Sequence, residues 1–103
     1  MPGLRDYRGR AVEVTDDGWQ RILTRHPEMG SRLAEIEAAI TAPVAVTRAN
    51  HPNRCENHYG RAGDRLLVRV SVIYRPTEDG WVGEVLTAHL IRDIVAEEAP
   101  LWP

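Results

Sequence analysis

The chain predicts an α+β domain, with an N-terminal strand and two helices packed on one face of a four-strand antiparallel meander. Three observations predict it. Two apolar stripes at helical spacing lie between Asp16 and Thr41, the segments beyond Pro43 alternate or carry turn residues, and the helical block precedes the strand block. That order places helices on one face of an antiparallel sheet. A length of 103 residues suits a single domain, with a core from about residue 10 to 90 and a tail over 91–103.

Ala11-Val12-Glu13-Val14 reads as a short first strand, within Arg10 to Thr15. Asp17, with Gln20 three residues on, is an Asp-led capping box that opens the first helix. Trp19, Ile22, Leu23 and His26 follow at helical spacing, and Pro27 biases His26 away from helical geometry, so the helix ends there. A second helix is predicted from Ser31 to Thr41, with Met29, Leu33, Ile36 and Ile40 on its stripe and Pro43 as its stop. Val44 to Thr47 is a strand; Arg54 to Tyr59 is another, closed by a loop holding Gly60 and Gly63. Arg65 to Arg75 alternates most clearly, with Leu66, Val68, Val70, Val72 and Tyr74 against Leu67, Arg69, Ser71 and Ile73. A turn in "PTEDG" leads to Trp81–Leu90, and Ile91 to Glu98 carries enough period to add a turn or two of helix. The ends "MPGLRDYRGR" and "EEAPLWP" read as loose.

Nothing longer than a strand is continuously apolar, and the N-terminus lacks the layout of a signal peptide, so a soluble, cytoplasmic protein without a membrane partner is expected. One cysteine, Cys55, excludes an intramolecular disulfide. The net charge is −2, mildly against general nucleic-acid binding. Its distribution is uneven. Residues 48–75 hold 6 arginines against 2 acids, whereas residues 76–103 hold 1 against 6. All 13 basic residues are arginine, which removes lysine chemistry and supplies guanidinium forks that suit phosphate.

His26 is the first candidate for chemistry. A histidine on an apolar stripe is most often a packed residue, but this one is held by a proline at a helix end, where the last carbonyls attract positive charge. Thr87 and His89 share one face late in the last strand, and Arg69 and Ser71 share one face of its neighbour. Whether the two pairs meet depends on the hairpin register, and a one-residue slip reverses the answer. Either His58 or Tyr59 faces the helices, and His58 should be exposed beside Glu56 if their strand lies at an edge. His51, Cys55 and His58 read H-x3-C-x2-H, but a fourth ligand is missing and the spacing matches no standard zinc site, so no metal is expected.

Taken in order, "W-x2-I-L-x-R-H-P-E-M" (Trp19 to Met29), a helix ending "I-x-A-P", "H-Y" before a long apolar strand, and a last strand with "V-L-T-A-H" resemble the barnase, EndoU, colicin E5/D and RelE-like nucleases, in particular phage-associated members. The resemblance spans about Gly18 to His89 and implies an RNase-toxin-like fold. It also implies metal-independent, cofactor-free RNA cleavage through a 2′,3′-cyclic phosphate, with RNA as substrate and a cognate inhibitor or immunity protein as partner. On that likeness His26 is the acid/base, Thr87 hydrogen-bonds the phosphate and Tyr59 positions or stacks on substrate. Arg69 is the best-placed cation for the transition state. Arg48, Arg54, His58 and His89 are the substrate-binding candidates. The chain departs from the usual basic character of such toxins, and an acidic tail carrying Glu97 and Glu98 is expected to lie over the arginine-rich region. The alternative function is a catalytically inactive domain of the same fold that binds a protein or nucleic-acid partner; a third is a structural protein of mobile-element origin.

Overall fold

The computed structural model describes residues 3–49, 55–94 and 99–102. Its element order is β1 (Ala11–Glu13), α1 (Asp16–Arg25), a 3-10 turn (Pro27–Ser31), α2 (Leu33–Thr41), β2 (Ala45–Arg48), β3 (Glu56–Gly63), β4 (Leu66–Thr77), β5 (Gly80–Ile91) and β6 (Ala99–Trp102). The α+β class holds, but the sheet is larger than the four-strand meander expected. It is a six-stranded mixed sheet in the order β1-β5-β4-β3-β2-β6. β1 joins it parallel to β5, and β6 adds antiparallel to β2. Neither edge strand was readable as part of the sheet, because three or four residues carry too little period to reveal a partner.

α1 begins two residues earlier than the capping box implied. Thr15, not Asp17, is the N-cap: its side chain accepts from the Gly18 N–H at 3.0 Å, which leaves Asp16 and Asp17 in the first turn beside the positive helix end. The segment after Pro27 tightens into a 3-10 turn, so the second α-helix starts at Leu33 rather than Ser31.

β3 runs straight through Gly60 instead of ending before it. A Cβ built at Gly60 would lie 2.9 Å from Ala39 Cβ and 3.1 Å from its Cα, so this glycine is the place where α2 settles onto the sheet. Gly83 does the same for a ring: its Cβ would meet Tyr74 Cε1 at 2.6 Å. The core is built from Ile22, Met29, Ile36, Ala39 and Ile40 of the helical layer against Val12, Val68, Val70, Val72, Val85 and Ala88 of the sheet.

Both ends contradict the reading as loose. Leu4 to Val12 folds as a tight loop closed by Val12 N–H to Leu4 O (2.9 Å) and Asp6 N–H to Arg10 O (2.9 Å). Asp6 accepts from the Arg8 and Arg10 N–H groups as well, a side-chain turn that needs only the local sequence. At the other end Ile91 still belongs to β5, residues 92–94 are not helical, and Ala99–Trp102 is strand, so the expected C-terminal helix is absent from the described residues. Glu97 and Glu98 lie outside them. Among the described residues no helix is long and apolar enough to cross a membrane.

Substituting Gly60→Ala should therefore cost about 1–3 kcal/mol, the usual penalty for overpacking against backbone, and the added substitution Ala39→Gly should return part of it. Chemical denaturation of the single and double variants measures both; equal stabilities would show that α2 can shift freely.

Candidate active site

The hairpin register is decided by one extra residue. β4 pairs with β5 as Val72 opposite Val85 and then Ser71 opposite Thr87, so Leu86 is bulged out of the ladder. Before the bulge Gly83 and Val85 lie on the core face; after it Ala88 and Leu90 do, and Thr87 and His89 are turned to the outer face. The two polar pairs left open by the sequence consequently meet: Arg69 stands opposite His89, and Ser71 opposite Thr87. On the other side of β4, Tyr59 is opposite Arg69 and Asn57 opposite Ser71. Tyr59, Arg69 and His89 thus form a row across three adjacent strands.

His26 joins this row from the helical layer. It is the C-cap of α1, with its N–H donating to Ile22 O at 2.7 Å and its carbonyl accepting from Met29 N–H at 2.9 Å. Pro27 follows and Met29 is fully buried, so the residue is fixed from both sides. Beyond Glu84, β5 has left β1 behind, and the 3-10 turn packs there. The result is a stack of the His26 and His89 rings, with centroids 5.3 Å apart and planes inclined by 27°. Glu28 Oε2 lies 3.8 Å from His26 Nδ1.

Burial pushes the His89 imidazole below its ordinary pKa, and the Arg69 and His26 charges push the same way, against a smaller pull from Glu28. His26, Arg69, Thr87 and His89 are all partly exposed and can meet a ligand. Tyr59 is fully buried, so it backs the row instead of offering its ring to a base. Asn57 and Ser71 are also buried and joined by a 2.6 Å hydrogen bond from Ser71 Oγ to Asn57 Oδ1.

His58 does not belong to this site, and its expected exposure is wrong. β3 is an interior strand, so His58 (opposite Val70) and Glu56 (opposite Val72) are on the core face and both buried. Arg48 stands opposite Glu56 on β2, away from the histidine stack. Arg54 and His51 lie outside the described residues, among which no group of metal-ligating side chains comes together.

What the sequence reading missed is a buried polar network around His58. Arg10 donates to both Glu56 oxygens (2.8 and 3.1 Å) and to Asp6 Oδ2 (2.7 Å), and its guanidinium lies 3.8 Å over the Tyr74 ring. Tyr74 Oη donates to Asp6 Oδ2 at 2.6 Å and is 3.4 Å from His58 Nε2, which is itself 3.6 Å from Glu56. Asp6-x-x-Gly9 was a legible turn signal; a partner 46 residues away was not. Burial opposes ionisation of Glu56, but hydrogen bonds from His58 and Arg10 and the Arg10 charge outweigh it and hold the carboxyl down at about 2. For Tyr74, burial and the hydrogen bond to Asp6 push the phenol well above its usual value, so it stays a donor.

A depressed carboxylate stabilises the fold above its unfolded pKa and loses that contribution as pH falls towards the folded one. Stability should therefore drop between the ordinary 4.5 and about 2. Glu56→Gln should start roughly 3 kcal/mol less stable at pH 7, the cost of breaking a buried pair, and fall less steeply over that interval. Denaturation at pH 7 and at pH 3 checks this, and parallel curves for the two proteins would refute it. In comparisons with known proteins, no family model, no curated protein and no solved structure matches this chain.

Proposed function

We propose that this domain is a metal-independent endoribonuclease-like toxin or effector of RNase-toxin-like fold, which acts on RNA in the cytoplasm and is held in check by a cognate inhibitor or immunity protein. The observation that carries the reading is the His26–His89 stack with Arg69 directly opposite His89 and Thr87 two residues away on the same strand. Two imidazoles, a guanidinium and a hydroxyl are the groups that transesterification of a phosphodiester requires.

The lowered pKa of His89 leaves its imidazole neutral near pH 7, ready to take the proton of the ribose 2′-hydroxyl. The freed oxygen attacks the adjacent phosphorus, the P–O5′ bond breaks, and His26 as imidazolium gives its proton to the leaving 5′-oxygen. The products are a 2′,3′-cyclic phosphate and a 5′-hydroxyl. Proton exchange with water then restores both rings. Arg69 and Thr87 hydrogen-bond the phosphoryl oxygens where negative charge grows, and the buried Tyr59 and the Asn57–Ser71 pair keep that part of the sheet rigid.

Cleavage of a mixed RNA pool in EDTA tests the reading. The wild type should produce cyclic phosphate ends, and His26→Ala and His89→Ala should each lower the rate by roughly 10²–10⁴-fold while unfolding cooperatively. On the acid limb of the pH profile the rate should rise with pH through a midpoint below the ordinary histidine value of 6.5, because the base must be neutral. In Arg69→Gln the midpoint should move upward, since a charge that disfavours the imidazolium is gone. A folded wild type that leaves RNA intact overturns the proposal in favour of an inactive binding domain.

A further inference from the structure

A cavity of about 470 Å³ opens on the far end of the β4–β5 hairpin from the histidine stack. Its walls include Arg5, Arg8 and Arg10 of the N-terminal loop on one side, and Thr77, Asp79 and Trp81 of the hairpin on the other. The volume falls within the range of about 300–1,000 Å³ that small-ligand pockets occupy. Trp81 is 55% exposed, more than any other large apolar side chain among the described residues, so its indole is available for a flat partner.

The cations are not equivalent. Arg10 is spent on Asp6, Glu56 and the Tyr74 ring and forms a fixed wall. Arg5 is steadied by a 2.9 Å bond from Nη1 to Gly9 O, and among the described residues neither Arg5 nor Arg8 lies within ion-pair distance of a carboxylate. Two guanidinium groups without a carboxylate partner among the described residues, lining one cavity with an exposed indole, suit a ligand with phosphate at one end and an aromatic ring at the other. Asp79 lines the same wall as Trp81, and a carboxylate there disfavours phosphate and suits an amine donor, which distinguishes the two ends of the cleft.

We infer that this cleft between Arg5, Arg8 and Trp81 binds a nucleotide, its base stacked on Trp81 and its phosphate between the two arginines. Trp81 and His89 are eight residues apart along β5, or about 26 Å, so this is a second site and its occupancy does not depend on cleavage. The nucleotide is either free or one unit of a single strand, and both offer the same base and phosphate.

Titration of the whole chain with adenosine monophosphate, and separately with a single-stranded 2′-deoxy oligonucleotide of about 12 units, tests the inference. The deoxy strand lacks the hydroxyl that the proposed reaction needs, so binding is read without cleavage. Tryptophan quenching by at least one probe is expected, about tenfold weaker in Arg5→Gln/Arg8→Gln and weaker again at high salt. In Trp81→Leu, affinity measured by equilibrium dialysis should fall similarly with the melting temperature unchanged. Tighter binding of the strand than of the mononucleotide identifies single-stranded nucleic acid as the source; equal or weaker binding of the strand identifies a free nucleotide. Binding that neither substitution alters, or no binding of either probe, overturns the inference.

Discussion

One bulged residue governs how this sheet can be used. If Leu86 remained in the ladder, Val85, Thr87 and His89 would share a face, and either the core would receive a histidine and a threonine or the outer face would receive valine. The bulge lets both halves of β5 satisfy the core: Gly83 and Val85 before it, Ala88 and Leu90 after it. The same half-turn places Thr87 and His89 against Ser71 and Arg69. Because the side-chain period of a strand is two, a single inserted residue is enough to separate the apolar requirement of the fold from the polar requirement of the site.

His26 depends on that arrangement from the other layer. Its position rests on local chain chemistry: the end of α1, the proline after it, and Met29 locked into the core as the next anchor. What it meets there is set by the sheet, since β1 covers β5 only from Val82 to Glu84 and leaves the following stretch for the 3-10 turn. A short edge strand thus has two consequences, closing one end of β5 and leaving the other beside a histidine.

The N-terminal loop is held differently. Asp6 first organises its own turn and then offers its second oxygen to Tyr74 and Arg10, while Arg10 bridges to Glu56 on β3. Two carboxylates, Asp6 and Glu56, are buried and Arg10 and Tyr74 are half-buried, and each is bonded to another, the condition under which such a network is tolerable. The network also explains why an arginine-rich opening segment does not wander: one of its arginines is bound inward, which orients Arg5 and Arg8 towards the cleft beside Trp81.

Strong local signals survived folding nearly unchanged. The α+β class, α1 and its end at His26, α2 and its stop before Pro43, the long alternating strand β4 and its hairpin with β5 were all legible, because periodicity and proline act over a few residues. Boundaries moved for local reasons where Thr15 caps α1 and a 3-10 turn precedes α2, and for a tertiary one at Gly60, where Ala39 needs the space and the strand continues. His26, Arg69, Thr87 and His89 were recognisable as residues that could act, but their meeting was not, since it turns on the bulge at Leu86. His58 was misread for the same class of reason: burial in an interior strand follows from sheet order, which no local pattern states. The sequence by itself determined which segments are helical or extended and where His26 is pinned. Tertiary structure alone decided which strands are neighbours, which face each polar pair occupies and which distant carboxylate receives Arg10, because pairing partners and register are chosen by long-range packing rather than by the residues on either side.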